Sequence, residues 1–276
     1  MSNITAADVK KLRDQTGAGM MDCKKALVEA DGDYEKAIEI LRTKGQKLSL
    51  KRAEREAKEG VVIAKVSDDK KSGVVIRLSC ETDFVAKNQD FINFADQIAS
   101  IALENLPKTK DELGALPLGP ITIQDKIIEQ VGVIGEKIEL ADYELLESEL
   151  VVPYIHMGYR AGVIVGLNQD GGSVEEAGKD VAMQVAAMRP IALDKDAVDP
   201  SIIEKEIEIG KEQARQEGKP EQIIEKIALG KLNKFFQENT LLNQGFVKDN
   251  GSTVKQYLQS VDKNLTITDF KHLMLG

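Results

Sequence analysis

The sequence predicts an α+β protein. A three-helix N-terminal bundle leads into a core of two duplicated α+β subdomains with small antiparallel sheets, and an antiparallel coiled-coil hairpin interrupts the second. Three observations predict this. Residues 1–45 hold three amphipathic stretches separated by Gly17-Ala18-Gly19 and Asp31-Gly32. The run Gly73-Val-Val-Ile-Arg-Leu78 is echoed by Gly162-Val-Ile-Val-Gly-Leu167, each with a β-rich run before it and a turn and amphipathic helix after it. Residues 200–237 are charged and carry no strand signal. The resulting division is 1–45 for the bundle, 46–59 for a connector, 60–141 for one subdomain, 142–190 with 239–276 for the other, and 191–238 for the hairpin.

In the bundle, Ala6 to Gln15 carries Val9 and Leu12 on one side. Asp22 to Ala30 begins on an N-capping Asp22, and Asp33 to Thr43 begins on Asp33 with Tyr34, Ala37, Ile38 and Leu41 facing in. Met20 and Met21 fall in the first loop, where adaptable apolar side chains suit a partner surface or could equally plug the top of the bundle. A bundle of this size is marginal alone, so it is either a small folding module or a docking module. It resembles a ubiquitin-associated-type bundle, which binds partners through the same loop. From Arg42 to Gly60 basic residues dominate, yet Glu54, Glu56 and Glu59 interleave at helical spacing. A solvated connector explains that pattern better than a nucleic-acid arm.

The core elements follow in order. Strands over Gly60 to Val66 and Gly73 to Ser79 are joined by the Asp68–Gly73 loop. Apolar residues at 91, 94, 95, 98, 99 and 102 describe one helix face. Ile121 to Gln130 forms a helix ended by Gly132 and Gly135, and Lys137 to Leu140 alternates as a strand. Val151 to Ile155 and Gly162 to Leu167 are strands, and Ser173 to Met188 is a helix with Val181, Val185 and Met188 apolar. In the hairpin, Ile203, Ile207 and Ala214 face Ile223, Ile227, Leu232 and Phe235 across a Gly218-Lys219-Pro220 tip. Val254 to Val261 and Leu265 to Phe270 close the second subdomain as helix and strand.

Composition narrows function. The chain has 276 residues, a net charge of −9 and 30% charged residues, so direct nucleic-acid binding is a poor expectation. Its longest apolar region, Val151 to Leu167, is broken by His156 and Arg160 and cannot span a bilayer. Two cysteines, Cys23 and Cys80, and no signal peptide read as a reduced cytoplasmic protein with free thiols. Those thiols invite a nucleophile hypothesis with His156 or His272 as base, and Cys23 in a first helical turn could have a lowered pKa. No orienting third group or oxyanion motif accompanies them. The glycine-containing stretches at 17–19 and 132–135 lack a phosphate loop or dinucleotide fingerprint, and no cluster has metal-ligand spacing. The expectation is a non-enzyme without cofactor or metal, one that binds and reshapes a partner.

The most informative stretch is Cys80-Glu-Thr-Asp-Phe-Val-Ala-Lys-Asn88. Thr82 and Asp83 fall at a strand-to-helix junction, where short polar residues satisfy orphan backbone N–H groups. Phe84 either staples inward on its own helix or projects outward as a wedge aimed at another protein. Thr82-Asp83-Phe84-Val85 resembles the signature of the elongation factor Ts family. Thr16-Gly-Ala-Gly-Met-Met-Asp-Cys-Lys-Lys-Ala-Leu27 resembles that family's other hallmark, in the family's order and about sixty residues away. The similarity runs from residue 4 to the last strand and thins after about residue 190.

This resemblance implies a guanine-nucleotide exchange factor for elongation factor Tu, acting in translation. It implies that Phe84 is driven beside the partner's Mg²⁺ site, with Asp83 positioning it and Thr82 and Val85 shaping the turn. Met20, Met21 and Lys24 would dock on the partner's nucleotide domain. His156, within the Tyr154–Arg160 strand edge, would help hold a separate partner domain. It also implies that the hairpin can carry a homodimer or a further partner. One departure stands out: where the family often has two arginines this chain has Ala141 and Asp142, so contacts there are not carried over. The rival readings are a ubiquitin-like-recognition adaptor using residues 1–45 and a thiol-dependent enzyme using Cys23 or Cys80.

Overall fold

A computed structural model describes residues 4–276. The chain forms two compact units, one taking it through Ile63 with Ile76–Glu144 and Leu273–Gly276, the other Ala64–Val75 and Leu145–His272. The fold is α+β.

The first unit begins with α1 (Ala6–Thr16), α2 (Met20–Glu29) and α3 (Tyr34–Arg52). A capping box opens α1, in which the Asp8 N–H donates to Thr5 Oγ1 and the Thr5 N–H to Asp8 Oδ2. Val9, Leu12, Cys23, Ala26, Leu27 and Ala37 form the bundle core, with Tyr34, Ile38 and Leu41 packed against it. Two expectations are corrected here. Asp22 is not a cap: α2 starts at Met20 with Gly19 as N-cap, so Met20 and Met21 lie on the helix rather than in the loop. Asp22 sits in the first turn, where a carboxylate suits the helix dipole, and pairs with Lys44. The third helix does not stop at Thr43 but runs 19 residues, to Arg52, into the stretch read as a connector.

There follow β1 (Glu59–Val66), β2 (Ser72–Cys80), α4 (Asp83–Ala86), α5 (Gln89–Asn105), α6 (Lys110–Ala115), β3 (Pro117–Leu118), β4 (Ile121–Thr122), α7 (Ile123–Ile134) and β5 (Ile138–Glu147). The sheet order is β1-β2-β5, with β2 central. The inward face of α5 is the expected one, Phe91, Phe94, Ala95, Ile98, Ala99 and Ala102. α7 begins later than expected because Ile121 and Thr122 pair with β3, and Thr122 then caps the helix. It also passes through Gly132 and ends at Gly135, φ +81°. Gly132 stays helical because it lies where α7 crosses α3. A Cβ there would stand 3.0 Å from Gly45 Cα, and one at Gly45 would stand 2.9 Å from the Ile128 carbonyl oxygen. Neither glycine breaks its helix; together they let two backbones touch.

In the second unit, β6 (Leu150–His156) and β7 (Ala161–Leu167) pair antiparallel, in register from Leu150↔Leu167 to His156↔Ala161. α8 (Gly172–Met188) packs on both strands, burying Val181 and Val185 while Met188 is exposed. The remaining elements are α9 (Pro200–Gln216), α10 (Glu221–Asn239), β8 (Gly245–Phe246), β9 (Asp249–Thr253), α11 (Val254–Val261) and β10 (Ile267–Met274). The second sheet runs β10-β7-β6. In both sheets the later strand of a sequential pair is central and a strand from after the helices completes the set. Val152, Val163, Val165, Leu167, Leu258 and Ile267 lie in the core of this unit.

The helix pair α9–α10 is antiparallel, as expected, and Ile203, Ile207, Ala214, Leu232 and Phe235 lie in or against its seam, but Ile223 does not. Gly210 and Ala214 on α9 and Ile224, Ala228, Leu232 and Phe236 on α10 are buried, whereas Ile223 is exposed. A Cβ at Gly210 would stand 3.1 Å from Ala228 Cα, so close backbone approach at small residues selects this register. Among the described residues no helix is long and apolar enough to cross a membrane.

Candidate functional site

Cys80–Asn88 leaves β2 and turns into α4, a single turn of helix. Thr82 is its N-cap in extended conformation, and Thr82 Oγ1 accepts from the Val85 N–H at 3.5 Å. A one-turn helix cannot hold its own shape in water, since nucleation is unfavourable and few bonds repay it. Its orientation therefore depends on what grips its root.

Two glutamates supply that grip. Glu136, just past the α7 cap, accepts at Oε2 from the Glu81 and Thr82 N–H groups at 3.1 and 3.0 Å, and at Oε1 from the Thr82 hydroxyl at 2.6 Å. Glu81 accepts in return from the Lys137 N–H, and its carboxylate pairs with Arg52 and with Arg55 at 2.9 Å. Lys137 Nζ donates to the Ala53 and Arg55 carbonyls at 3.1 and 3.0 Å, just beyond α3. Burial opposes ionisation of Glu81, but the Lys137 N–H and the Arg55 and Arg52 guanidiniums outweigh it and hold its pKa at about 2. Segments 52–55, 81–82 and 136–137 are thereby clasped together.

Phe84 projects outward with 84% of its surface exposed, which excludes the inward staple. Asp83 precedes it, and a 2.6 Å bond from Lys87 draws the Asp83 carboxyl below its usual pKa. Val85 is half-buried and Ala86 buried. The clamped root, residues 81–82, and the bare ring are only two to three residues apart.

The other candidates sit elsewhere. Met20, Met21 and Lys24 share one exposed face of α2, while Cys23 between them points into the core. His156 ends β6, an edge strand, half-buried with its Nδ1 2.9 Å from Tyr154 Oη. At the departure, Asp142 pairs with Arg77 and Ala141 accepts from Lys110 Nζ at 2.9 Å.

The thiols are correspondingly poor nucleophiles. Burial, then the Glu136 charge, pushes Cys80 up to about 12, and Cys80 Sγ donates to the Thr82 carbonyl. Burial also raises Cys23, contrary to the dipole-lowered expectation, because the side chain faces the bundle core. Among the described residues no acid, His or Cys group could hold a metal ion. Sequence reasoning gave no role to Glu81, Glu136, Arg52, Arg55 or Lys137.

The family model described as Elongation factor TS matches residues 81–276. A protein named elongation factor Ts from Cytophaga hutchinsonii is 55% identical over 278 residues, covering the whole of both chains. The proteins of the same name from Christiangramia forsetii and Prosthecochloris aestuarii are 51% and 47% identical, again over full lengths.

Proposed function

Because the chain belongs to the elongation factor Ts family of translation elongation factors, we propose that it is a guanine-nucleotide exchange factor. In this reading it binds elongation factor Tu carrying GDP, disturbs the Mg²⁺ site there and promotes GDP release so that GTP can enter. The observation that carries the reading is the bare Phe84 ring on a turn fixed at its root.

An exchange factor acts by binding the nucleotide-free state better than the loaded one. Each tenfold loosening of GDP needs about 1.4 kcal/mol of differential contact. Burying one exposed Phe is worth roughly 1.5–3 kcal/mol, so Phe84 alone could supply one to two decades. Mg²⁺ demands near-ideal octahedral coordination, which makes a small displacement beside it costly for bound GDP. Asp83 positions the ring, and Thr82 and Val85 shape the turn. Met20, Met21 and Lys24 dock on the partner's nucleotide domain, making residues 1–45 a docking bundle, and the β6 edge with His156 holds a second partner domain. This gives the wedge something to push against.

The hairpin leaves Ile202, Ile209, Ile223 and Leu229 exposed, and a homodimer through it is the accompanying proposal. Light scattering across a concentration series tests that part: a rising mass supports it, and a monomer at high concentration removes it.

The deciding experiment is release of a fluorescent GDP analogue from elongation factor Tu under excess unlabelled GDP, with the parent and with Phe84→Ala. Fast release with the parent and at least a tenfold loss in the variant is the expected result. No acceleration by the parent, with elongation factor Tu of the same organism, would sink the reading.

A further inference from the structure

We propose that Glu136 is a positioning residue for Phe84, acting through a reciprocal clasp between residues 81–82 and 136–137. This rests on the exchange reading above and goes beyond it by naming what aims the ring.

Each glutamate of the clasp takes a backbone N–H from the other's segment: Glu136 from Glu81 and Thr82, Glu81 from Lys137. Glu136 also sets the Thr82 hydroxyl. By taking that proton at 2.6 Å it turns an oxygen lone pair toward the Val85 N–H, the bond that caps α4. The one hydroxyl serves both bonds, donating to Glu136 and accepting from Val85, so the cap and the clasp are joined. Gly135 at φ +81° turns the chain out of α7 so that residue 136 reaches back to the junction. On the far side Arg52, Arg55 and Lys137 tie the same junction to the end of α3, the long helix of the N-terminal bundle. A force on Phe84 is thus resisted by backbone amides and a helix end rather than by a free loop.

Glu136 need not touch the partner for this role. Its loss would leave Phe84 present and exposed but misaimed, and a near-correct geometry is worth orders of magnitude when a group must enter a fixed slot. The first variant is Glu136→Gln, which keeps the size but replaces one acceptor oxygen by a donor amide. The second is Thr82→Val, which keeps the shape and removes the hydroxyl. Thr82→Ser keeps the hydroxyl and serves as the conservative rescue.

The test is GDP release from the GTPase partner over a range of protein concentrations, for the parent, these three variants, Phe84→Ala, and Phe84→Ala combined with Glu136→Gln. Glu136→Gln and Thr82→Val should each lower the maximal release rate about tenfold, with the half-saturating concentration within about twofold of the parent's and Thr82→Ser close to parental. The decisive comparison is the double variant, which should be no slower than Phe84→Ala alone, because Glu136 acts only through the ring. Additive losses would overturn the proposal and give Glu136 an independent role. Full activity in Glu136→Gln with a large loss in Phe84→Ala would overturn it while leaving the exchange reading intact. Inactivity of the parent would be failure of the exchange reading itself. Thermal melting and far-UV circular dichroism accompany each variant, and if Glu136→Gln is unfolded, Glu136→Asp, which keeps the charge but shortens the reach, takes its place alone and with Phe84→Ala, with the same outcomes.

Discussion

Phe84 and Glu81 stand three residues apart and carry opposite expectations. An exposed ring contributes little to folding, so Phe84→Ala should change stability by less than about 0.5 kcal/mol, read from urea denaturation. Glu81 is mostly buried and its pKa falls from 4.5 to about 2, a difference of roughly 3 kcal/mol between charged and neutral forms. Since the folded value is the lower one, this stabilisation is complete above pH 4.5 and is lost as pH falls from there through about 2. Glu81→Gln should therefore be less stable than the parent at pH 7, with the gap closing by pH 2; a gap independent of pH would contradict the assignment. Legibility divides along the same line. Thr82 as a cap and Phe84 as a wedge candidate could be read because cap chemistry and aromatic anchors are local patterns. Glu136 could not, because it meets Thr82 across 54 residues and no periodicity joins them. The only trace was charge: Arg52 and Arg55 needed acids, and Glu81 stood beside the turn.

At the scale of elements, patterns anchored by large apolar residues were mostly read correctly, and small residues at helix crossings were misread. The inward face of the helix over 91–102 is anchored by Phe91, Phe94 and Ile98, and its buried face matches. Gly45, Gly132, Gly210 and Ala228 were read as breaks or overlooked, yet each marks a close helix crossing. The same blindness put Ile223 in the hairpin seam in place of Ile224 and passed over Gly210 and Ala228, while Ile203, Ile207, Ala214, Leu232 and Phe235 lie in or against the seam as read. The two registers make different demands on adjacent side chains. Ile224 is 3% exposed and Ile223 42% exposed, so Ile224→Glu places an unpaired charge in the seam while Ile223→Glu reaches water. Ile224→Glu is expected to cost at least about 3 kcal/mol and Ile223→Glu under about 0.5, measured by urea denaturation. Equal costs would restore Ile223 to the seam.

For the whole molecule, binding and exchange are two sides of one coupling free energy. If the protein weakens the grip of elongation factor Tu on GDP by some factor, GDP must weaken the grip on this protein by the same factor. Phe84 is the part of the chain proposed to press on the nucleotide site, and the α2 face and the β6 edge are proposed to hold the partner whether or not nucleotide is bound. Truncating the ring should therefore shrink the coupling and the affinity for the empty partner by about the same factor, and leave affinity for the GDP-bound partner nearly unchanged. Four dissociation constants test this: GDP with and without the protein present, and the protein with and without GDP present. In the parent the two ratios should agree and exceed about tenfold. In Phe84→Ala both should fall together toward one, while affinity for the GDP-bound partner changes by less than the coupling does. Were the ratios to stay at parental values in Phe84→Ala, the wedge would lie elsewhere on this surface, and the α2 face with Met20, Met21 and Lys24 would be the next place to look for it.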